Sequence, residues 1–150
     1  MTLLLQIEGQ IKEAMVNKET LRLSALRVLK SAIQYAAIEK GGADYKADDA
    51  LVISVVRKEV KKRQDSIDGF QKAGRADLIE KEKAEIDILT AFLPQEMSDA
   101  DLEKLVRDAI AESGATGKAQ MGAVMKIAQA KAAGRADGKR LSQLVGKLLA

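Results

Sequence analysis

The sequence predicts an all-α protein, on three observations. Aromatic residues make up only 3% of a chain that is 47% hydrophobic, so the core is left to Leu, Ile, Val, Ala and Met. Straight-chain side chains and Ala favour helix, whereas β-rich cores draw on aromatics. Pro94 is the single proline, so little interrupts long helices. Apolar residues recur at three- and four-residue spacing, and no stretch shows the alternation of a strand.

Seven helical segments follow in order. The first spans about 3–16, with Leu4, Ile7, Ile11 and Ala14 at helical spacing. The second spans about 18–40 and carries Leu21, Ala25, Leu29, Ile33 and Ala37; "GGAD" at 41–44 stops it. The third spans about 48–72, with Val52, Val56, Val60, Ile67 and Phe70 as its stripe, and "AGR" at 73–75 ends it. The fourth spans about 76–93, with Leu78, Ile79, Ile86, Leu89 and Leu93, and Pro94 closes it. "SDAD" at 98–101 then reads as an N-cap with acids in the first turn, where they favour the helix dipole. The fifth helix carries Leu102, Leu105, Val106 and Ile110 and ends at Gly114. The sixth, about 118–133, places Met121, Val124, Met125, Ala128 and Ala132 on one face, with Gly134 as its stop. Asp137 caps the seventh, whose apolar face is Leu141, Leu144, Val145 and Leu148. The organisation expected is a four-helix domain over 1–93, a linker at 94–97 and a three-helix domain over 98–150, the latter small for independent stability.

Charge divides the chain unevenly. Residues 1–113 hold 18 Lys or Arg against 21 Asp or Glu, whereas residues 114–150 hold seven bases against Asp137 alone. Such asymmetry points to a polyanionic partner or, equally, to a solubilising helical surface. With no Cys and no His, the chain has no disulfide scaffold, no thiol chemistry, and neither the commonest general base nor the commonest metal ligand. The opening "TLLLQI" is interrupted by Glu8 too soon for a signal peptide or a membrane span. A cytosolic protein that does not engage membranes is the expectation.

Few constellations suit catalysis. "GATGK" at 114–118 ends like a phosphate-binding P-loop, but Glu112 and Ala119 stand where that motif needs Gly and Ser or Thr, and no strand precedes it. Glu80, Glu82, Glu85 and Asp87 crowd the fourth helix, yet a di-iron site wants Glu-x-x-His pairs. No catalytic residue, metal site or cofactor is expected. "RKEVKKR" at 57–63 reads as a solvated outer face, except for Arg63, which falls between Val56 and Phe70 inside the apolar arc. Glu82 falls likewise between Ile86 and Leu89. Charges on a core face are paired or snorkel, so the third and fourth helices are expected to pack antiparallel with Arg63 on Glu82, or on Glu85 in another register.

The C-terminal bases are better organised. Gly122, Lys126 and Gln129 share the side of the sixth helix away from its core, as do Arg140, Gln143 and Lys147 on the seventh, while Arg135 and Lys139 flank the turn between them. Small residues admit a partner's backbone, and Lys and Arg supply phosphate contacts that read no base sequence. No aromatics are interleaved, which disfavours base stacking and leaves recognition of folded shape.

The stretch "RKEVKKRQDSIDGFQKAGRADLIEKEKAEIDILTAFLPQEMSDADL" at 57–102 resembles the signature of the YqeY-like proteins, the GatB/YqeY family. "MGAVMK…GRADGKRLSQLVGKLL" at the C-terminal end resembles the tail domain of the B subunit of the bacterial tRNA-dependent amidotransferase. The resemblance implies an all-helical protein with a tail-like C-terminal domain and tRNA as partner, the tail helping to hold the tRNA body. Its phosphate-contacting positions map to Lys126, Arg135, Lys139, Arg140 and Lys147. The family also carries a carbon–nitrogen ligase label, with glutamine as amido-nitrogen donor. This sequence has no amidase-type Ser–Lys constellation to support that label. The expected function is a non-catalytic, tRNA-associated binding module. The alternatives are an adaptor for enzymes of tRNA metabolism, or an accessory to amidotransferase activity.

Overall fold

The computed structural model describes residues 2–149, and among them the secondary structure is helical with no strand. Seven α-helices run in the order α1 (Leu3–Val16), α2 (Thr20–Gly41), α3 (Asp49–Lys72), α4 (Ala76–Thr90), α5 (Asp99–Ser113), α6 (Met121–Ala132) and α7 (Gly138–Leu148), with a 3₁₀ turn at Lys118–Gln120 ahead of α6. The chain divides into two compact units, Met1–Leu93 and Pro94–Ala150.

Local chemistry sets the helix ends. The Thr2, Asp48, Ser98 and Asp137 side chains accept the amide hydrogens of Leu5, Leu51, Asp101 and Arg140, satisfying otherwise orphaned donors at four N-termini. Three bounds differ from the periodicity. α2 begins at Thr20 because Lys18 adopts a left-handed conformation (φ 56°) that breaks the helix there. α4 ends at Thr90, because Pro94 disfavours helical backbone at the residue before it and the chain leaves through a turn. The first turn of the expected sixth helix is wound as 3₁₀.

In the first unit the core is Ile7 from α1, Leu26, Leu29 and Ile33 from α2, Val52, Val55 and Val56 from α3, Leu89 from α4 and Phe92 in the turn just beyond it. Leu21, expected on the α2 core face, is instead exposed. Four-residue steps drift around a 3.6-residue helix by roughly 40° each, so a run from Leu21 to Ala37 cannot keep one face.

The second unit is built on close helix approach. Ala109, Ala128, Ala132 and Ala136 are buried among Leu102, Val106, Val124, Leu141, Val145 and Leu149. Residues 94–97, a linker by composition, are bonded into this unit: the Met97 amide donates to the Arg135 carbonyl at 2.9 Å. The α6–α7 turn contains two successive left-handed residues, Ala133 (φ 50°) and Gly134 (φ 81°). A side chain costs about 1 kcal/mol or more in that region. Ala133→Gly is therefore expected to stabilise the second unit by about 0.5 to 1 kcal/mol, after the larger entropy of an unfolded glycine is subtracted. Chemical denaturation followed by circular dichroism checks this.

Candidate nucleic-acid interface

Two charged constellations stand out, one in each unit. In the first, Arg63 is 9% exposed and Glu59 6% exposed, the charged residues buried in the core among those described. The Arg63 Nε donates to Glu85 Oε2 at 3.0 Å, and its NH1 donates to Glu59 Oε2 at 3.0 Å and to the Glu59 carbonyl at 3.1 Å. The Lys62 ammonium lies 3.4 Å from the other Glu59 oxygen, at the solvent edge. One guanidinium thus bridges α3 and α4 through two carboxylates.

The partner across the hairpin is Glu85, not Glu82, which is half-buried. The turn decides it. Gly74 (φ 69°) marks the reversal between α3 and α4 and lies midway in sequence between Arg63 and Glu85. A pairing with Glu82 requires a reversal centred before Gly74. Glu59 was missed by sequence reasoning, although it follows Val56 by three residues and precedes Arg63 by four, on the same stripe. These groups spend their hydrogen bonds on one another, which makes the cluster a lock between two helices rather than a reaction site.

The second constellation is the basic face of the second unit. Lys126, Lys139 and Lys147 are exposed, and no described carboxylate lies within ion-pair distance of them. Gly122 and Gly138 stand on the same helices with open space where a side chain would be. Lys131 is different: Glu112 sits 2.9 Å away, and that hydrogen bond, aided by the carboxylate's charge, raises its pKa above the usual lysine value. Its charge is locally cancelled.

The two expected phosphate-contacting arginines are engaged inside the unit. Arg140 NH1 donates to the Met97 carbonyl at 2.8 Å and approaches Glu96 at 3.5 Å, while NH2 donates to Asp99 at 2.6 Å. Arg135 Nε donates to the Gln95 carbonyl at 3.3 Å. Together they strap residues 95–99 to the α6–α7 turn. No local signal announces this, because the partners lie about forty residues away in sequence. Replacing Arg140 by Ala is expected to loosen the strap, speeding exchange of the Met97 amide hydrogen by about five- to tenfold, as loss of about 1 kcal/mol of hydrogen bonding implies. Hydrogen exchange resolved by residue reads it.

The "GATGK" stretch is a connection. Gly114 ends α5 in the left-handed region (φ 70°), and the Thr116 amide donates to the Gln120 side chain at 2.6 Å. Among the described residues no group of three or more acidic, His or Cys side chains is placed to hold a metal ion, and no helix is long and apolar enough to cross a membrane.

The fold and its charges define a helical two-unit protein whose second unit carries a lysine-studded face. The chain matches the family described as "Yqey-like protein" over residues 5–149 and belongs to it. It is 29% identical over 148 residues to a protein of Pyrenophora tritici-repentis named "Altered inheritance of mitochondria protein 41, mitochondrial", covering 94% of this chain and 80% of the relative. Proteins of the same name from Lachancea thermotolerans and Saccharomyces cerevisiae are 32% and 30% identical, over 71% and 79% of this chain. The chain spans 57% and 66% of those two relatives' lengths. These names correct the cytosolic expectation, since all three relatives are mitochondrial by name. The residue composition of a helical chain carries no address that separates one aqueous compartment from another.

Proposed function

We infer that this chain is a tRNA-associated binding module whose second unit holds phosphates of a folded RNA. One observation carries the reading: Lys126, Lys139 and Lys147 are exposed without a carboxylate partner among the described residues, on helices where Gly122 and Gly138 leave room for a backbone to approach. Arg135 and Arg140 act behind them, holding the strap that fixes the start of α7. Phosphate contacts of this kind position a nucleic acid without reading its bases, which suits recognition of folded shape. The family's ligase label enters this reading only through association, with the module serving as accessory to an amide-transferring enzyme.

The test is fluorescence anisotropy of bulk tRNA titrated with the purified chain across a salt series, beside a variant with Lys126, Lys139 and Lys147 changed to Glu. Steeply salt-dependent binding that disappears in the variant supports the module. Absence of binding at low salt overturns it, and a salt-insensitive protein partner then favours the adaptor.

A further inference from the structure

α2 is apolar on two opposite sides. Its core side, Leu26, Leu29 and Ile33, is buried. Its other side carries Leu21, Val28, Tyr35 and Ile38, exposed by 38%, 48%, 74% and 53%. Ser24 and Ser31, also exposed, complete the row. The six positions alternate in steps of three and four, which is the spacing of a coiled-coil seam. A helix apolar on both sides is ordinarily covered on both, and exposed apolar rows of this kind mark interaction surfaces.

We propose that the Leu21–Ile38 face of α2 is a self-association surface, on which a second copy of this chain packs its own α2 antiparallel about a two-fold axis between Leu29 and Lys30. The row is self-complementary in that one register. Leu21 meets Ile38 of the second copy, Val28 meets Ser31, and Tyr35 meets Ser24, so each large side chain faces a small one or closes an end of the seam. The flanks agree. Arg27 meets Gln34 on one flank without like-charge contact, and Glu39 comes opposite Lys18 just beyond the helix start, while Ala25 on the other flank is already buried within the unit and takes no part. An isologous interface requires that every residue in the patch find its partner within the same patch, and all six do. Val16, 79% exposed, ends α1 at the hairpin end where α2 begins. The seam is about 25 Å long at 1.5 Å per residue, which puts the interface at the small end of specific ones, about 1,200 Å² in total. The dimer is accordingly weak, with a dissociation constant on the order of tens of micromolar.

Sedimentation velocity from about 5 to about 500 µM brackets that constant. The weight-average mass is expected to climb from 16.2 kDa towards twice that value. A variant carrying Val28→Glu and Tyr35→Glu is expected to stay at 16.2 kDa throughout, with unchanged helicity and melting because both sites are exposed. Register is read separately, since the chain has no native cysteine. Under mild oxidation, mixed Val28→Cys and Ser31→Cys proteins are expected to form the hetero-disulfide in preference to either homo-disulfide. A mass fixed at the monomer value at the highest concentration overturns the proposal, as does association undiminished in the double-Glu variant. Cross-linking of Val28→Cys chiefly to itself, the signature of a parallel seam, overturns it as well.

Discussion

Replacing Arg63 by Ala is expected to destabilise the first unit by about 3 kcal/mol, shifting its unfolding equilibrium by roughly 150-fold. The side chains involved are 10%, 8% and 13% exposed for Arg63, Glu59 and Glu85, so water cannot replace the guanidinium. Its removal leaves two carboxylates facing each other across the α3–α4 contact with only Lys62, at the edge, for compensation. The origin of the loss is testable in the same series. A variant with Arg63→Met, Glu59→Leu and Glu85→Leu together is expected to recover most of the stability, because a buried ion cluster is worth little more than a well-packed apolar one, while a broken cluster strands charge. Urea denaturation gives the free energies, and hydrogen exchange along α3 assigns them to the first unit. If Arg63→Ala costs less than about 1 kcal/mol, the cluster behaves as a solvent-screened surface network and not as a buried lock.

The second large effect is on RNA binding. With three phosphate contacts, from Lys126, Lys139 and Lys147, the log–log salt slope is expected near −3, so raising salt from about 50 to about 200 mM weakens tRNA binding by roughly 40-fold. Five contacts, with Arg135 and Arg140 included, require a slope of about −4 to −5. The slope therefore counts the contacts and decides whether the strap arginines stay home. Changing the three lysines to Glu removes the attraction and adds repulsion, and binding is expected to vanish at low salt. A slope near zero, or wild-type affinity in the variant, sinks the lysine face as the contact surface.

Much of the backbone was legible in the residues. The ends of α1 and α3 and the caps at Ser98 and Asp137 follow from side chains that act on their own neighbours. The burial of Arg63 followed from its angle on α3, and with it the demand for a carboxylate. What failed was long-range or second-order. Glu85 displaced Glu82 because register depends on where the chain reverses, a property of Gly74 rather than of either helix face. Glu59 gives no signal of its own in the sequence because an acid one turn away on the same helix reads equally as an ordinary surface i,i+4 pair. Arg135 and Arg140 looked like surface cations because the carbonyls that hold them belong to a stretch with no periodicity of its own. Leu21 looked like core because a four-residue ladder hides how far it winds, whereas Ala25, Leu29, Ile33 and Ala37 on the same ladder are buried.

The strap has a bearing on modularity. Met97 gives its amide to Arg135 and its carbonyl to Arg140, and Gln95 gives its carbonyl to Arg135. A fragment that starts at the helix cap, Ser98, discards these partners, takes the Gln95 carbonyl from Arg135 and leaves Arg140 with Asp99 alone. The portable piece of this protein thus begins at Pro94, where the second unit begins. Any shuffling event, natural or engineered, that moves the tail between proteins has to carry those few non-helical residues as part of the cargo.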